Sequence, residues 1–166
     1  MTNGLQILDV SSPSEPHILA QQYLGEDASC IAACGDTIYL GMSNGAVVIL
    51  SVAAPLNPKV TSTYLTGSRY VSAIAKSGSF LYVACATGLD IVDLSDPTEP
   101  KRAGFFPTPS DSGYSPTDVS VVGKLAFIAA IDLWIVDVSV ISNPVQVSRF
   151  DTPQSATKIQ ISDTLV

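Results

Sequence analysis

The chain alternates short apolar runs with clusters of turn-forming residues. The runs at 4–10, 28–34 and 37–42 are rich in branched side chains and too short for a helix. A Gly-Asp pair at 35–36 separates the second run from the third, which is a hairpin signal. No segment combines a 3.6-residue apolar period with helix caps. The pattern therefore predicts an all-β protein.

One sequence motif occurs four times along the chain. Leu89 matches Leu5, Val47 and Leu133, Ile91 matches Ile7, Ile49 and Ile135, and Pro100 matches Pro16, Pro58 and Pro144. The matching prolines are 42, 42 and 44 residues apart, a period typical of repeat architectures. Runs such as 46–50 are apolar on both faces, so both sides of each sheet should be covered. Four-stranded antiparallel sheets packed around an axis meet that demand, which predicts a β-propeller with a period of about 42 residues.

The repeats divide the chain into blades. We expect a single propeller domain, or half of a propeller, with a half-blade at 1–24, blades at 27–65, 70–106 and 117–150, and a half-blade at 156–166. Residues 163–166 align with 36–39, and residues 1–4 align with 42–45, so the two half-blades are complementary and should pair. Pairing closes a ring of four blades in one molecule or of eight in a homodimer. A third alternative is a piece of a longer propeller.

The repeated motif resembles a known family. The sequence Gly-Leu-Asp-Ile-Val-Asp-Leu-Ser-Asp-Pro at 88–97, with Val-Gly-Lys-Leu-Ala-Phe-Ile-Ala at 122–129, is similar to the LVIVD repeats of bacterial and archaeal proteins. The resemblance implies a β-propeller, frequent occurrence in secreted or cell-surface proteins, and no family-wide catalytic motif. The second copy departs from the motif with Ser51 and Ala53-Ala54, and the fourth departs with Asp132 and Ile141. Residues 1–4 lack the features of a signal peptide, so any export signal is expected outside this chain.

Composition and net charge limit the classes of partner that we expect. A chain that is 46% hydrophobic and 14% charged can bury a substantial core. A net charge of −7 repels phosphate backbones and anionic lipid, so we expect cationic or neutral partners and no nucleic acid. No apolar run is long enough to insert into a bilayer. Three cysteines and the lone His17 favour buried thiols over a disulfide or a zinc site.

The sequence contains no recognisable motif for catalysis, metal binding or phosphate binding. Asp9, Asp93 and Asp137 precede turns, where side-chain bonds to turn amides explain them better than calcium does. His17 has no Gly-x-Ser-x-Gly partner motif, and Gly67 opens no phosphate-binding helix. Trp134 is expected to pack between blades. The sequence therefore predicts no catalytic residue, no metal and no cofactor.

The remaining candidates lie on one face of the propeller. The loops at 24–27, 66–70, 107–117 and 151–155 surround the axis, and the third exceeds the usual connection length. The predicted binding residues are Arg69, Tyr70, Asp111, Tyr114, Asp118 and Asp151. We expect a non-catalytic scaffold that binds a protein or a small polar ligand there. The alternatives are a hydrolase with loop-borne carboxylates and a structural module of a larger cell-surface protein.

Overall fold

A computed structural model describes residues 4–108 and 115–162, and the regular elements in these ranges are β-strands. The strands are β1 (Gly4–Asp9), β2 (His17–Tyr23), β3 (Ala28–Cys34), β4 (Thr37–Met42), β5 (Ala46–Ser51), β6 (Lys59–Leu65), β7 (Val71–Ser77), β8 (Phe80–Cys85), β9 (Gly88–Asp93), β10 (Lys101–Pro107), β11 (Asp118–Val122), β12 (Leu125–Ala129), β13 (Leu133–Asp137) and β14 (Val145–Phe150). Within those ranges, no helix is long and apolar enough to cross a lipid bilayer.

The strands form four separate antiparallel sheets in chain order. We name β3 to β6 the first blade, β7 to β10 the second blade, β11 to β14 the third blade, and the pair β1 and β2 the half-sheet. The prediction of an all-β chain built from repeated four-stranded antiparallel sheets is confirmed. The sheets do not close into a ring in the described residues, so ring closure is not shown.

Local sequence explains the hairpins within each blade. Gly35, Gly78 and Gly123 lie in the turn between the first and second strands with φ of 55°, 55° and 58°. Glycine adopts this left-handed conformation without the steric cost that a Cβ atom imposes. Each turn returns the chain at once, so adjacent apolar runs pair as antiparallel neighbours.

The blades stack face to face through buried apolar side chains. The half-sheet packs on the first blade through Leu5, which joins Leu40 and Leu50. Val47 and Ile49 of the first blade pack against Val83 and Val92 of the second. The second and third blades share a cluster that contains Leu89, Ile91, Phe106, Ile128, Trp134 and Val136. Trp134 packs edge-on to Phe106 at 6.1 Å between ring centroids, which confirms its predicted place between blades.

The two ends of this stack leave apolar side chains exposed. Every residue of β14 is exposed, including Val147 and Phe150. Leu8 and Tyr23 of the half-sheet are exposed as well. The expectation that both faces of each sheet are covered therefore holds between neighbouring blades and fails at the outermost sheets.

The cysteines are free, and they differ in burial. Cys85 is buried in β8, and Cys30 is partly buried against the second blade. The expectation of buried thiols is wrong for Cys34, which is exposed. Cys34 is the last residue of β3 before the hairpin, and Ala33 beside it is exposed as well.

Candidate functional site

One face of the stack is built from two kinds of loop that are bonded to each other. In each blade the loop between the second and third strands meets the chain that leaves the fourth strand. Thr66 Oγ1 donates to the Gly45 carbonyl at 2.8 Å, and Thr152 Oγ1 donates to the Ile131 carbonyl at 3.0 Å. The Thr108 amide donates to the Thr87 carbonyl at 3.3 Å. We call this surface the axial-loop face.

These threonines were not predicted from the sequence. Thr66, Thr108 and Thr152 recur at nearly the period of the prolines, and that spacing was the available signal. Their bonds hold each loop pair in place, so the face is a preorganised surface rather than a set of independent loops.

A cleft of about 370 Å³ opens on this face at the third blade. We call it the blade-three cleft; its lining residues are Ile131, Asp132, Arg149, Asp151, Thr152, Pro153, Gln154 and Ser155. Arg149 Nε donates to Asp132 Oδ2 at 2.6 Å, and its guanidinium lies 5.0 Å from the centre of the Trp134 ring. Asp132 is almost fully buried and also accepts the Thr152 amide at 3.3 Å. The arginine is thereby fixed in orientation by a carboxylate beneath it.

Asp151 is the predicted site residue that lines this cleft. Its side chain is 88% exposed, and its Oδ1 lies 3.5 Å from Arg149 Nε. Asp132 already neutralises Arg149, so Asp151 leaves the cleft with a net negative charge. The sequence offered a signal for Asp132, because it replaces the glycine of the repeat in the fourth copy.

Among the described residues, the predicted residues Arg69, Tyr70 and Asp118 do not line the cleft. Arg69 is exposed and Tyr70 is 37% exposed, both in the loop between the first and second blades. Asp118 accepts the Val119 amide at 3.0 Å and the Ile159 amide at 2.9 Å. Asp118 thus holds residues 156–162 against the third blade, a role that the sequence did not predict.

Two predicted residues, Asp111 and Tyr114, lie outside the described residues. Among residues 4–108 and 115–162, no hydrogen bond or ion pair joins Arg69, Asp118 and Asp151 to one another. The set as a whole stays a prediction.

A buried ionic network joins the first and second blades below this face. Asp90 is fully buried and accepts Arg102 Nε at 2.8 Å and Nη2 at 2.7 Å. Tyr64 of the first blade donates to Asp90 at 3.0 Å, and Arg102 also donates to the Thr66 carbonyl at 2.7 Å. Burial, followed by the Asp90 charge, raises the pKa of Tyr64 to about 12. The sequence signal was a carboxylate inside the apolar run of β9, which needs a partner when buried.

The repeated aspartates have a structural role. Asp9 accepts the Ser11 amide at 2.8 Å, Asp93 the Ser95 amide at 2.8 Å, and Asp137 the Ser139 amide at 2.7 Å. Hydrogen bonds from these serines lower the pKa of all three carboxyl groups. The predicted turn role is confirmed. In the part of the chain that the structure describes, no three His, Cys, Asp or Glu side chains converge as metal ligands.

The comparison with protein families gives one match. The LVIVD repeat model matches residues 1–24, 68–108 and 113–152. The chain belongs to the LVIVD-repeat family. In this LVIVD-repeat protein, the unmatched segment includes the second copy, where Ser51 and Ala53-Ala54 replace the Asp and the Ser-Asp pair of the motif.

Solved structures share the fold at low sequence identity. The computationally designed Ika8 protein is 11% identical with a TM-score of 0.71, over 89% of this chain and 44% of its own. The designed Ika4 protein is 10% identical with a TM-score of 0.69, over 86% of this chain and 84% of its own. The Cps50 (Swd1) beta-propeller domain of Myceliophteria thermophila is 13% identical with a TM-score of 0.70, over 93% of this chain and 56% of its own.

These likenesses show the fold alone. The chain spans less than half of Ika8 and a little over half of the Cps50 domain. The comparison with curated proteins gave no match.

Proposed function

We propose that this protein is a non-catalytic β-propeller scaffold that binds a protein or a small polar ligand through its axial-loop face, centred on the blade-three cleft. The observation that carries the proposal is the open blade-three cleft, whose wall is ordered by the Arg149 pair with Asp132 and whose rim carries the exposed Asp151. A cleft whose wall is already ordered loses little conformational entropy when a ligand binds. Arg69, Tyr70 and Asp118, together with Asp111 and Tyr114, supply further contacts in this proposal.

The charge of the face selects the partner class. Asp151 projects into solvent beside an arginine that Asp132 neutralises, so the cleft attracts an amine or a guanidinium. The net charge of −7 adds long-range attraction for cationic partners. A basic peptide segment is therefore the favoured ligand.

Nuclear magnetic resonance titration with a lysine-rich and a glutamate-rich peptide tests this proposal. We expect shifts at Thr152 and Gln154 with the lysine-rich peptide, and several-fold weaker binding for Asp151→Asn. Glu99→Gln is the matched control, because Glu99 is an exposed acid in the Pro-rich loop on the opposite face. Preferential binding of the glutamate-rich peptide would overturn the charge argument. Turnover of glycosides or esters that is lost with Asp111→Asn or Asp118→Asn would favour a hydrolase.

The closed ring is also a proposal. We propose that the half-blades at 1–24 and 156–166 combine into one blade, within one molecule or by exchange between two. The exposed apolar residues Leu8 and Tyr23 of the half-sheet support it, because closing the ring would place a third blade against them. We also propose that the protein lies outside the cytoplasm and that it is a module of a larger cell-surface protein. Both proposals rest on the family resemblance.

A further inference from the structure

A hydroxyl group at the start of the first strand of each blade (β3, β7 and β11) is bonded to the segment that begins the next repeat. Ser29 Oγ lies 2.5 Å from the Val71 carbonyl, Ser72 Oγ lies 2.5 Å from the Pro116 carbonyl, and Thr117 Oγ1 lies 2.9 Å from the Ala156 carbonyl.

Each of these hydroxyls has a second carbonyl within reach, in its own blade. The distances are 2.9 Å from Ser29 to Gly41, 3.1 Å from Ser72 to Ala84 and 3.3 Å from Thr117 to Ala129. A hydroxyl has one proton to donate, and the bond to the next blade is the shorter one each time.

The backbone carbonyls that accept these bonds occupy equivalent positions in the sequence. Val71 immediately precedes Ser72, and Pro116 immediately precedes Thr117, so each hydroxyl donates to the residue before the next hydroxyl. Ala156 accepts from Thr117 and immediately precedes Thr157. Thr157 is therefore the fourth member of the series, and it is exposed.

We infer that, in the closed ring proposed above, on which this inference rests, Thr157 Oγ1 donates to the carbonyl of Ala28, the residue before Ser29, and that this fourth bond closes the series within one chain. Residues 156–162 then form the innermost strand of a fourth blade that has β1 and β2 as its outer strands. The series returns to its first member after four blades.

The space for that strand is present. In the described sheets, β1 pairs with β2 along one edge, which leaves the other edge for the strand that we assign to residues 156–162. A groove of about 240 Å³ lies between this edge and the first blade, lined by Gly4, Leu5, Gln6, Ala28, Ser29, Cys30, Ile31 and Leu40. Ile31 is 58% exposed on β3, and an added strand would cover it.

Two observations favour the chain's own segment over that of a second copy. The Ile159 amide donates to Asp118 at 2.9 Å, so residues 156–162 already lie on the third blade of the same molecule. Burial raises the pKa of the Cys30 thiol, and the positive charge of Lys158 is among the groups that lower it. Lys158 follows Thr157, and Cys30 follows Ser29, so the two ends of the series lie near enough in one chain for this charge to act on the thiol.

Disulfide trapping tests the fourth bond. Ala28→Cys with Thr157→Cys is the test pair, and Thr117→Cys with Ala156→Cys is the matched control at a contact that is observed. Both pairs carry Cys34→Ser, which removes the exposed native thiol. We expect both to oxidise within single chains, with the linkage identified by peptide mapping. A covalent dimer of the test pair, or no linkage while the control forms, would overturn the inference.

Hydrogen exchange provides a second readout if the control pair does not oxidise. Loss of one hydrogen bond should speed amide exchange across 156–162 by roughly twofold to tenfold in Thr157→Val, whereas Thr157→Ser should retain protection. Equal exchange in wild type, Thr157→Val and Thr157→Ser would contradict the bond.

Discussion

Replacing Arg102 with methionine removes the positive charge that is paired with the fully buried carboxylate of Asp90. Asp90 would lose bonds of 2.8 and 2.7 Å, and the Thr66 carbonyl would lose one of 2.7 Å. Breaking a buried ion pair by removing one partner costs about 3–5 kcal/mol, because the other charge stays desolvated. For a chain of this length, that corresponds to a fall in Tm of roughly 6–20 °C.

Urea unfolding, followed by Trp134 fluorescence and by circular dichroism, measures this cost. Lys101→Met is the matched control, because Lys101 is the preceding residue of β10 and its pair with Glu99 is exposed on both sides. An exposed pair contributes about 0–1 kcal/mol. Asp90→Leu combined with Arg102→Met should recover part of the loss, because both charges are then gone. If Arg102→Met is no less stable than Lys101→Met, the network does not hold the first two blades together.

Three further predictions follow from the described contacts. Gly104→Ala should destabilise the fold by about 1–3 kcal/mol, because the new Cβ would overlap the Ile141 backbone of the third blade, and unchanged urea unfolding would contradict this packing. The pKa values of Asp9, Asp93 and Asp137 are lowered in the folded protein, so these carboxylates stabilise the fold at pH values above their unfolded pKa of about 3.9. That stabilisation is lost as the pH falls through the folded pKa values. Acid titration of the unfolding free energy should show a shallower decline for Asp93→Asn, and a rise in stability below pH 4 would refute the assignment. Iodoacetamide should alkylate Cys34 well before Cys85 in the native protein, and peptide mapping that shows the reverse order would contradict their burial.

The fold was predictable because its information is local and repeated. The apolar runs at 28–34 and 37–42 and the turn between them determine a hairpin without knowledge of any distant residue. Because the same pattern recurs at a nearly constant period, it predicts each further blade in the same way. The exposure of Cys34 and β14 was not predictable, because it depends on which sheet faces have a neighbour.

The candidate site was harder to predict because its contacts cross between segments. Asp151 was expected on the axial-loop face, but its neighbours Asp132 and Arg149 come from another loop and from β14. Asp118, which the sequence predicts as a binding residue, also accepts the Ile159 amide, a contact that no local pattern specifies. The hydroxyls at Ser29, Ser72 and Thr117 were equally hidden, because serine and threonine are common and their acceptors are backbone carbonyls.

Sedimentation equilibrium on the wild-type chain tests most directly whether the blades close within one molecule. A ring that closes within one molecule predicts a single species of 17.3 kDa whose mass does not change over a wide range of protein concentration. A species of twice that mass that accumulates with concentration and is lost when residues 156–162 are deleted would contradict it, because the segment would then be completing the blade of a second copy.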